Sequence, residues 1–264
     1  MKIELFTLIG LEMRLFTIHR DSVYELPHYR WYRNPVKSIP DQNAIIEKNV
    51  PTIPLSFVVT GYFTQRLNSR YIRGEKLLHG VKFNTGQQQD QKIYLPLVLP
   101  YKKTADNKAP TSREEILSEK IITERLYDKI EDICIRIYER ANKLCNTKGL
   151  IVAEANFEFG IVGEELFIVG ELLTPQTADF WTKDKYLHLF KRGLEQERPH
   201  HKALFNAGID ITEPKFIDDD LKIDIAKDFI NFYSLITDKE FFLENYNVLE
   251  RLKKNIAGSG FFSS

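Results

Sequence analysis

The sequence predicts an α+β fold, and three observations carry that prediction. Residues 53–64, IPLSFVVTGYFT, form a run of β-branched and aromatic side chains, the composition of a strand. Residues 153–173 alternate like the two arms of a hairpin and break at Thr174-Pro175, ahead of the aromatic pair Phe180-Trp181. Between these stretches, apolar residues recur at three- and four-residue intervals, as on one face of a helix. Sheet pieces and helices fall in separate stretches of chain, which is the α+β pattern.

Taken in order, the first 27 residues suggest two short strands, KIELFTLI and MRLFTIHR, turning at Gly10-Leu11-Glu12. HYRWYRNPVKSIP follows as an aromatic, basic connector broken by proline. After the strand at 53–64, the segment around Gly86 and TGQQQDQ reads as an exposed loop, and YLPLVLPYKKTADNKAPT as a second loop-dominated stretch. The clearest helix begins near Thr111, where Thr111 with Glu114 and Ser112 with Glu115 each offer a capping-box spacing. Its stripe is Ile130, Ile133, Cys134, Ile137, Tyr138, Ala141, Leu144 and Cys145, and Lys148-Gly149 supplies the stop. KDKYLHLFKRG and DLKIDIAKDFINFYSLI predict two further helices, and GSGFFSS a frayed tail.

At 264 residues the chain can bury a full core, and 43% apolar residues exclude a disordered class. Lys+Arg and Asp+Glu are equal at 37 each, so no global field draws the protein to nucleic acid or an anionic membrane. No run approaches the ~18 apolar residues of a membrane span. Acidic and basic side chains interrupt the N-terminal stretch, which breaks a signal-peptide core. Cys134 and Cys145 share the apolar helix face about 16 Å apart, too far to bridge, so they read as buried thiols. A cytoplasmic protein is expected.

Glu154, Asn156 and Glu158 share one strand face, because side chains alternate with period two. With Glu171 they offer oxygen ligands for a divalent cation, or they form the solvated face of an antiparallel hairpin. Arg66, Arg70, Arg73 and Lys76 form the densest basic cluster, and Lys102, Lys103 and Lys108 lie in the following loop. His200 and His201 point about 100° apart on a helix, poorly placed to share an ion. They read as solvent-exposed or helix-start residues.

AEANFEFG followed by GELLTPQTADFW resembles the SAICAR synthetase family, whose members show Ala-Asp-Thr-Lys-Phe-Glu-Phe-Gly and then Asp-Glu-Val-Leu-Thr-Pro-Asp-Ser-Ser-Arg-Phe-Trp. VVTGYFTQRLNSRY is similar to the family's Val-Val-Arg-Gly-Tyr-Leu-Thr-Gly-Ser segment. RWYRNPVKSIPDQ and the terminal FINFYSLI resemble two further blocks in the same order. The resemblance implies a SAICAR-synthetase-like antiparallel sheet with flanking helices. It divides the chain into a reduced N-terminal lobe (1–29), the family domain (30–256) and a flexible tail (257–264). It also implies an ATP-dependent amide ligase of purine biosynthesis, joining aspartate to a carboxylated aminoimidazole ribotide, with ATP and Mg2+ as cofactors.

The departures from that pattern are concentrated in charge. Where the family carries a strand arginine this chain has Thr60, and its Gly-Ser-Gly is Gln65-Arg66-Leu67. The lysine of the first block is Asn156, the aspartate before Glu171 is Gly170, and Ser-Arg is Ala178-Asp179. The glycine-lysine loop of the ATP lobe is not found, so a protein partner supplying or replacing that lobe is expected, and an oligomer is compatible. The nucleotide or substrate candidates are Glu154, Asn156, Glu158, Lys103, Arg66, Thr174 and Asp179. The metal candidates are Glu158 and Glu171, and no catalytic residue is assigned. The alternative expectation is an inactive relative kept for binding or regulation, or a paralogue ligating another substrate.

Overall fold

A computed structural model of the protein describes residues 29–30, 47–48, 50–104, 108–175, 177–206 and 219–241. The predicted N-terminal strand pair and the C-terminal tail lie outside the described residues. Strands β1 (Tyr29–Arg30) and β2 (Glu47–Lys48) form a two-residue antiparallel ladder. The main sheet is built from β3 (Thr52–Tyr62), β6 (Lys92–Lys103), β7 (Lys108–Pro110), β8 (Leu150–Val162), β9 (Glu165–Val169) and β10 (Ala178–Thr182). Between β3 and β6 come helix α1 (Gln65–Tyr71) and the small hairpin of β4 (Leu77–Leu78) and β5 (Val81–Lys82). The other helices are α2 (Arg113–Ser118), α3 (Glu124–Thr147), α4 (Lys183–Lys191), α5 (Lys202–Asn206) and α6 (Asp219–Thr237). A 3-10 turn, Pro199–His201, leads into α5.

The sheet runs β10-β8-β3-β6-β7, with β9 also on β8, and every pairing is antiparallel. Its α+β character therefore agrees with the sequence reading. One face carries Leu55, Phe57, Val59, Val152, Phe157, Phe159 and Phe180 against Ile130, Cys134, Ile137, Tyr138 and Ala141 of α3. Burying each such large side chain contributes about 1.5–3 kcal/mol, so this layer is the chief stabilising unit. Both cysteines are free and buried here, as the helical stripe requires. Burial pushes the Cys145 thiol up to about 12 and that of Cys134 well above its ordinary value.

Two expectations are corrected. The stretch read as loop-dominated is β6, a twelve-residue strand paired with β3 through Leu55↔Lys102 to Thr60↔Leu97. Its prolines misled because their missing donors fall where no ladder bond is needed. Pro96 lies in the register shift between Thr60 and Tyr62, and the Pro100 carbonyl faces Thr111 N–H at 3.1 Å on the β7 side, just past the last β6–β7 pair. The helix read as continuous from Thr111 is two helices. Ser112 and Glu115 form a true capping box for α2, Lys120 turns the chain with φ 56°, and Thr123 caps α3 anew by accepting from Leu126 N–H. The end at Lys148-Gly149 is as expected, with Gly149 at φ 71°.

Candidate functional site

The sheet face turned away from α3 carries most of the candidate residues. Register places Ser56 opposite Glu158, Val58 opposite Asn156 and Thr60 opposite Glu154, so one row of side chains crosses β3 and β8. Asp179 continues that row on β10, opposite Glu154. A bulge lies between Asp179 and Phe180, where Phe180 pairs with Val152, so β8 holds one extra residue, Ala153. The extra residue keeps Phe180 on the α3 face while Asp179 and Trp181 stay on the other.

At the centre of the row, Thr60 is fully buried, its Oγ1 2.6 Å from the Tyr62 carbonyl and 3.2 Å from that of Ala153. Arg66, on α1, reaches down to the strand position facing Thr60. Its Nη2 and Nε donate to Glu154 Oε1 at 2.7 and 3.1 Å, and Thr64 Oγ1 donates to Glu154 Oε2 at 2.9 Å. Burial would lower the guanidinium's pKa, but the charge of Glu154 and its hydrogen bond outweigh that and raise it. Of the basic cluster, Arg70 is bonded to Glu75, and Lys76 lies 3.4 Å over the Tyr71 ring. Arg66 alone of these joins the row.

Further along, Lys103 and Lys108 converge on the two oxygens of Glu158, Lys108 at 3.0 Å. Lys108 also lies 3.2 Å from Ser56 Oγ, which donates to Asn156 Oδ1. Burial works to raise the Glu158 carboxyl, yet the two lysines hold it below the usual carboxylate range. Asn156, Glu158 and Lys103, three of the candidates, are thus brought together. Lys108, set among flexible-loop lysines in the sequence reading, belongs with them.

The remaining candidates have partners of their own. Thr174 Oγ1 donates to Glu171 Oε2 at 2.6 Å in the turn after β9. Among the described residues no group of three or more His, Cys, Asp or Glu side chains is placed to hold a metal ion. Asp179 accepts from Arg198 at 2.7 and 3.0 Å and from the Trp181 indole at 2.9 Å. Arg198 was missed by sequence reasoning, since nothing in ERPHH marks a residue that folds back 19 positions. His200 is buried rather than exposed, packed against Phe180 and Phe232, and burial pushes its pKa down to about 3. It does stand in the turn leading into α5.

An antiparallel sheet with a long helix on one face and a row of paired ionic groups on the other defines an α+β protein whose candidate site lies on the sheet. The family model described as SAICAR synthetase matches residues 16–203, and the chain belongs to that family. A phosphoribosylaminoimidazole-succinocarboxamide synthase of Legionella pneumophila (strain Lens) is 26% identical over 242 residues, covering 84% of this chain and 77% of the relative. SAICAR-synthase from Saccharomyces cerevisiae, complexed with SAICAR, superposes with a TM-score of 0.64 at 21% identity, over 77% of this chain and 67% of that one. A SAICAR synthetase (Type-2) in complex with ADP gives 0.53 at 16% identity, over 75% and 69%. These structures share the fold. Among the described residues no helix is long and apolar enough to cross a membrane.

Proposed function

We propose that the protein is an ATP-dependent carboxylate–amine ligase of the purine-biosynthetic type, binding phosphate oxygens with Lys103 and Lys108. The observation that carries this reading is the convergence of both ammonium groups on Glu158, inside the Phe-Glu-Phe-Gly block of the family. Acyl-phosphate chemistry places negative charge on transferring oxygens, and preorganised cations beside them provide most of the rate enhancement. Glu158 orients the two lysines, and an arriving phosphate would exchange for its carboxylate. Arg66 stands in the same way where the family pattern has a strand arginine. ATP would supply the phosphoryl group that activates the substrate carboxylate.

The metal candidates fit less well. Both Glu158 oxygens face ammonium groups, and Glu171 is bonded to Thr174, so these two carboxylates do not fit a magnesium ion in this arrangement.

A second reading, a family member that binds without ligating, is favoured by one observation. Glu154, Glu158 and Asp179 each already meet a cation of this chain. Calorimetric titration with a non-hydrolysable ATP analogue, beside turnover with aspartate and the carboxylated ribotide, separates the two. The ligase reading expects turnover, and analogue binding at least about tenfold weaker in Lys103→Met, ~1.4 kcal/mol. Binding without turnover would favour the second reading. A folded protein that shows neither would retire the first, and mass measurement in solution would then look for a partner chain or an oligomer.

A further inference from the structure

The family pattern has a lysine where this chain has Asn156, yet an ammonium group stands beside that position all the same. We propose that Ser56 and Asn156 are positioning residues that seat the Lys108 ammonium, so that β7 supplies the cation which the family pattern carries on β8. This deepens the ligase reading by naming what places one of its two cations. It rests on that reading only for the phosphate that the cation meets.

The seat is built from two strands. Ser56 on β3 lies opposite Glu158, with Asn156 one step along the same face of β8. Ser56 is fully buried, so its hydroxyl proton needs an acceptor within the protein, and Asn156 Oδ1 is that acceptor. A serine hydroxyl has a single proton, so its lone pairs are then left for a donor, and Lys108 Nζ lies 3.2 Å away. The same ammonium donates to Glu158 Oε1 at 3.0 Å. Lys108 is thus fixed at a charge and at a neutral hydroxyl whose direction Asn156 sets. Asn156 is itself held, its N–H donating to the Thr177 carbonyl at 2.7 Å.

The register of β6 and β7 is a second, independent observation. Lys103 and Lys108 are direct partners across that ladder. Like charges directly opposite on neighbouring strands oppose the pairing. Here both side chains turn to the two oxygens of one carboxylate, which leaves an excess of one positive charge at the sheet. A structural ion pair needs one lysine, whereas an anionic oxygen arriving from outside needs the excess.

Asparagine at 156 and lysine at 108 belong together. A lysine at 156 is longer, so its ammonium would reach the Ser56 hydroxyl, and it would offer no acceptor for the Ser56 proton. It would also bring a third ammonium to Glu158. The neutral amide avoids both conflicts. Lys108 keeps 45% of its side-chain exposure against 28% for Lys103, so the seat opens on the surface.

The test uses the full chain and the carbon-13 titration of the Glu158 carboxyl. Burial works against the charge of that group, and Lys103 and Lys108 more than offset it, so its midpoint reports whether Lys108 is seated. Lys108→Met should move the midpoint up. Asn156→Ala should move it the same way although both lysines remain, and Asn156→Lys combined with Lys108→Met should return it towards the unmutated value. In the unmutated protein, which needs no variant to fold, the Lys108 ammonium should exchange protons with water at least about tenfold more slowly than that of the exposed Lys120. An unmoved midpoint in Asn156→Ala, a double variant that behaves like Lys108→Met, or Lys108 exchange as fast as that of Lys120 would overturn the proposal.

Titrating the same proteins with the non-hydrolysable ATP analogue keeps the two readings apart. Binding weakened about tenfold in Lys108→Met and regained in the double variant supports both. No binding by the unmutated protein, with the Glu158 midpoints as expected, supports the seat and marks failure of the ligase reading alone. Binding with an unmoved midpoint in Asn156→Ala marks failure here alone.

Discussion

Arg66 and Glu154 are 88 positions apart, yet two nitrogens of one guanidinium, Nε and Nη2, donate to the same carboxylate oxygen. The contact joins α1 to the centre of the sheet and places a cation opposite Thr60. Arg66 keeps 48% of its side-chain exposure and Glu154 keeps 14%, so solvent screens much of the attraction. A double-mutant cycle of Arg66→Met and Glu154→Gln, read by urea unfolding, is expected to give a coupling of about 0.5–1 kcal/mol. A coupling near zero would mean that the pair positions α1 without stabilising it.

Gly61 and Tyr138 make a steric prediction. A Cβ on Gly61 would sit 2.6 Å from the Tyr138 hydroxyl oxygen, which is itself 2.6 Å from the Val152 carbonyl and cannot retreat freely. Gly61→Ala should therefore destabilise by roughly 1–3 kcal/mol. Tyr138→Phe removes the obstructing oxygen, so the double variant should lose less than the sum of the two single losses. Additive losses would falsify this account of why glycine stands there.

His200 and Asp90 give opposite pH dependences. Burial holds folded His200 down at about 3 against 6.5, so the unfolded chain binds its proton first. Its contribution is present above pH 6.5 and is lost as pH falls towards 3, by roughly 5 kcal/mol at most. Folded Asp90 is raised from 3.8 to about 6, so its contribution is full below pH 3.8 and is lost as pH rises through 6, by roughly 3 kcal/mol at most. Urea midpoints at pH 4.5 and 7 check both. His200→Phe should shrink the loss on acidification relative to the unmutated protein, and Asp90→Asn should enlarge it. Parallel curves for all three proteins would show that neither group is linked to folding.

Much of the fold was legible because its signals are local. The strand at 53–64, the hairpin of β8 and β9, the capping box at Ser112 and the glycine stop after α3 each follow from residues within a few positions of one another. The strand β6 was not legible, because Pro96 and Pro100 forbid a strand only if their missing donors face a partner, and the register that spares them is set by β3 and β7. The break at Lys120 was missed because the capping boxes near Thr111 and the stripe from Ile130 to Cys145 were read as the start and body of one helix.

The site divides the same way. Period-two alternation was enough to put Glu154, Asn156 and Glu158 on one face, and the collinear motifs were enough for the family. Which cation meets each acid was decided by tertiary structure alone. Arg66 reaches Glu154 from α1, Lys103 and Lys108 reach Glu158 from β6 and β7, and Arg198 folds back on Asp179. An ion pair depends on distance and burial in space, and sequence position constrains neither once the partners lie on different elements. The chain alone therefore determined a sheet, a helix and a row of acids. Only the fold decided that this row is met by cations from distant positions.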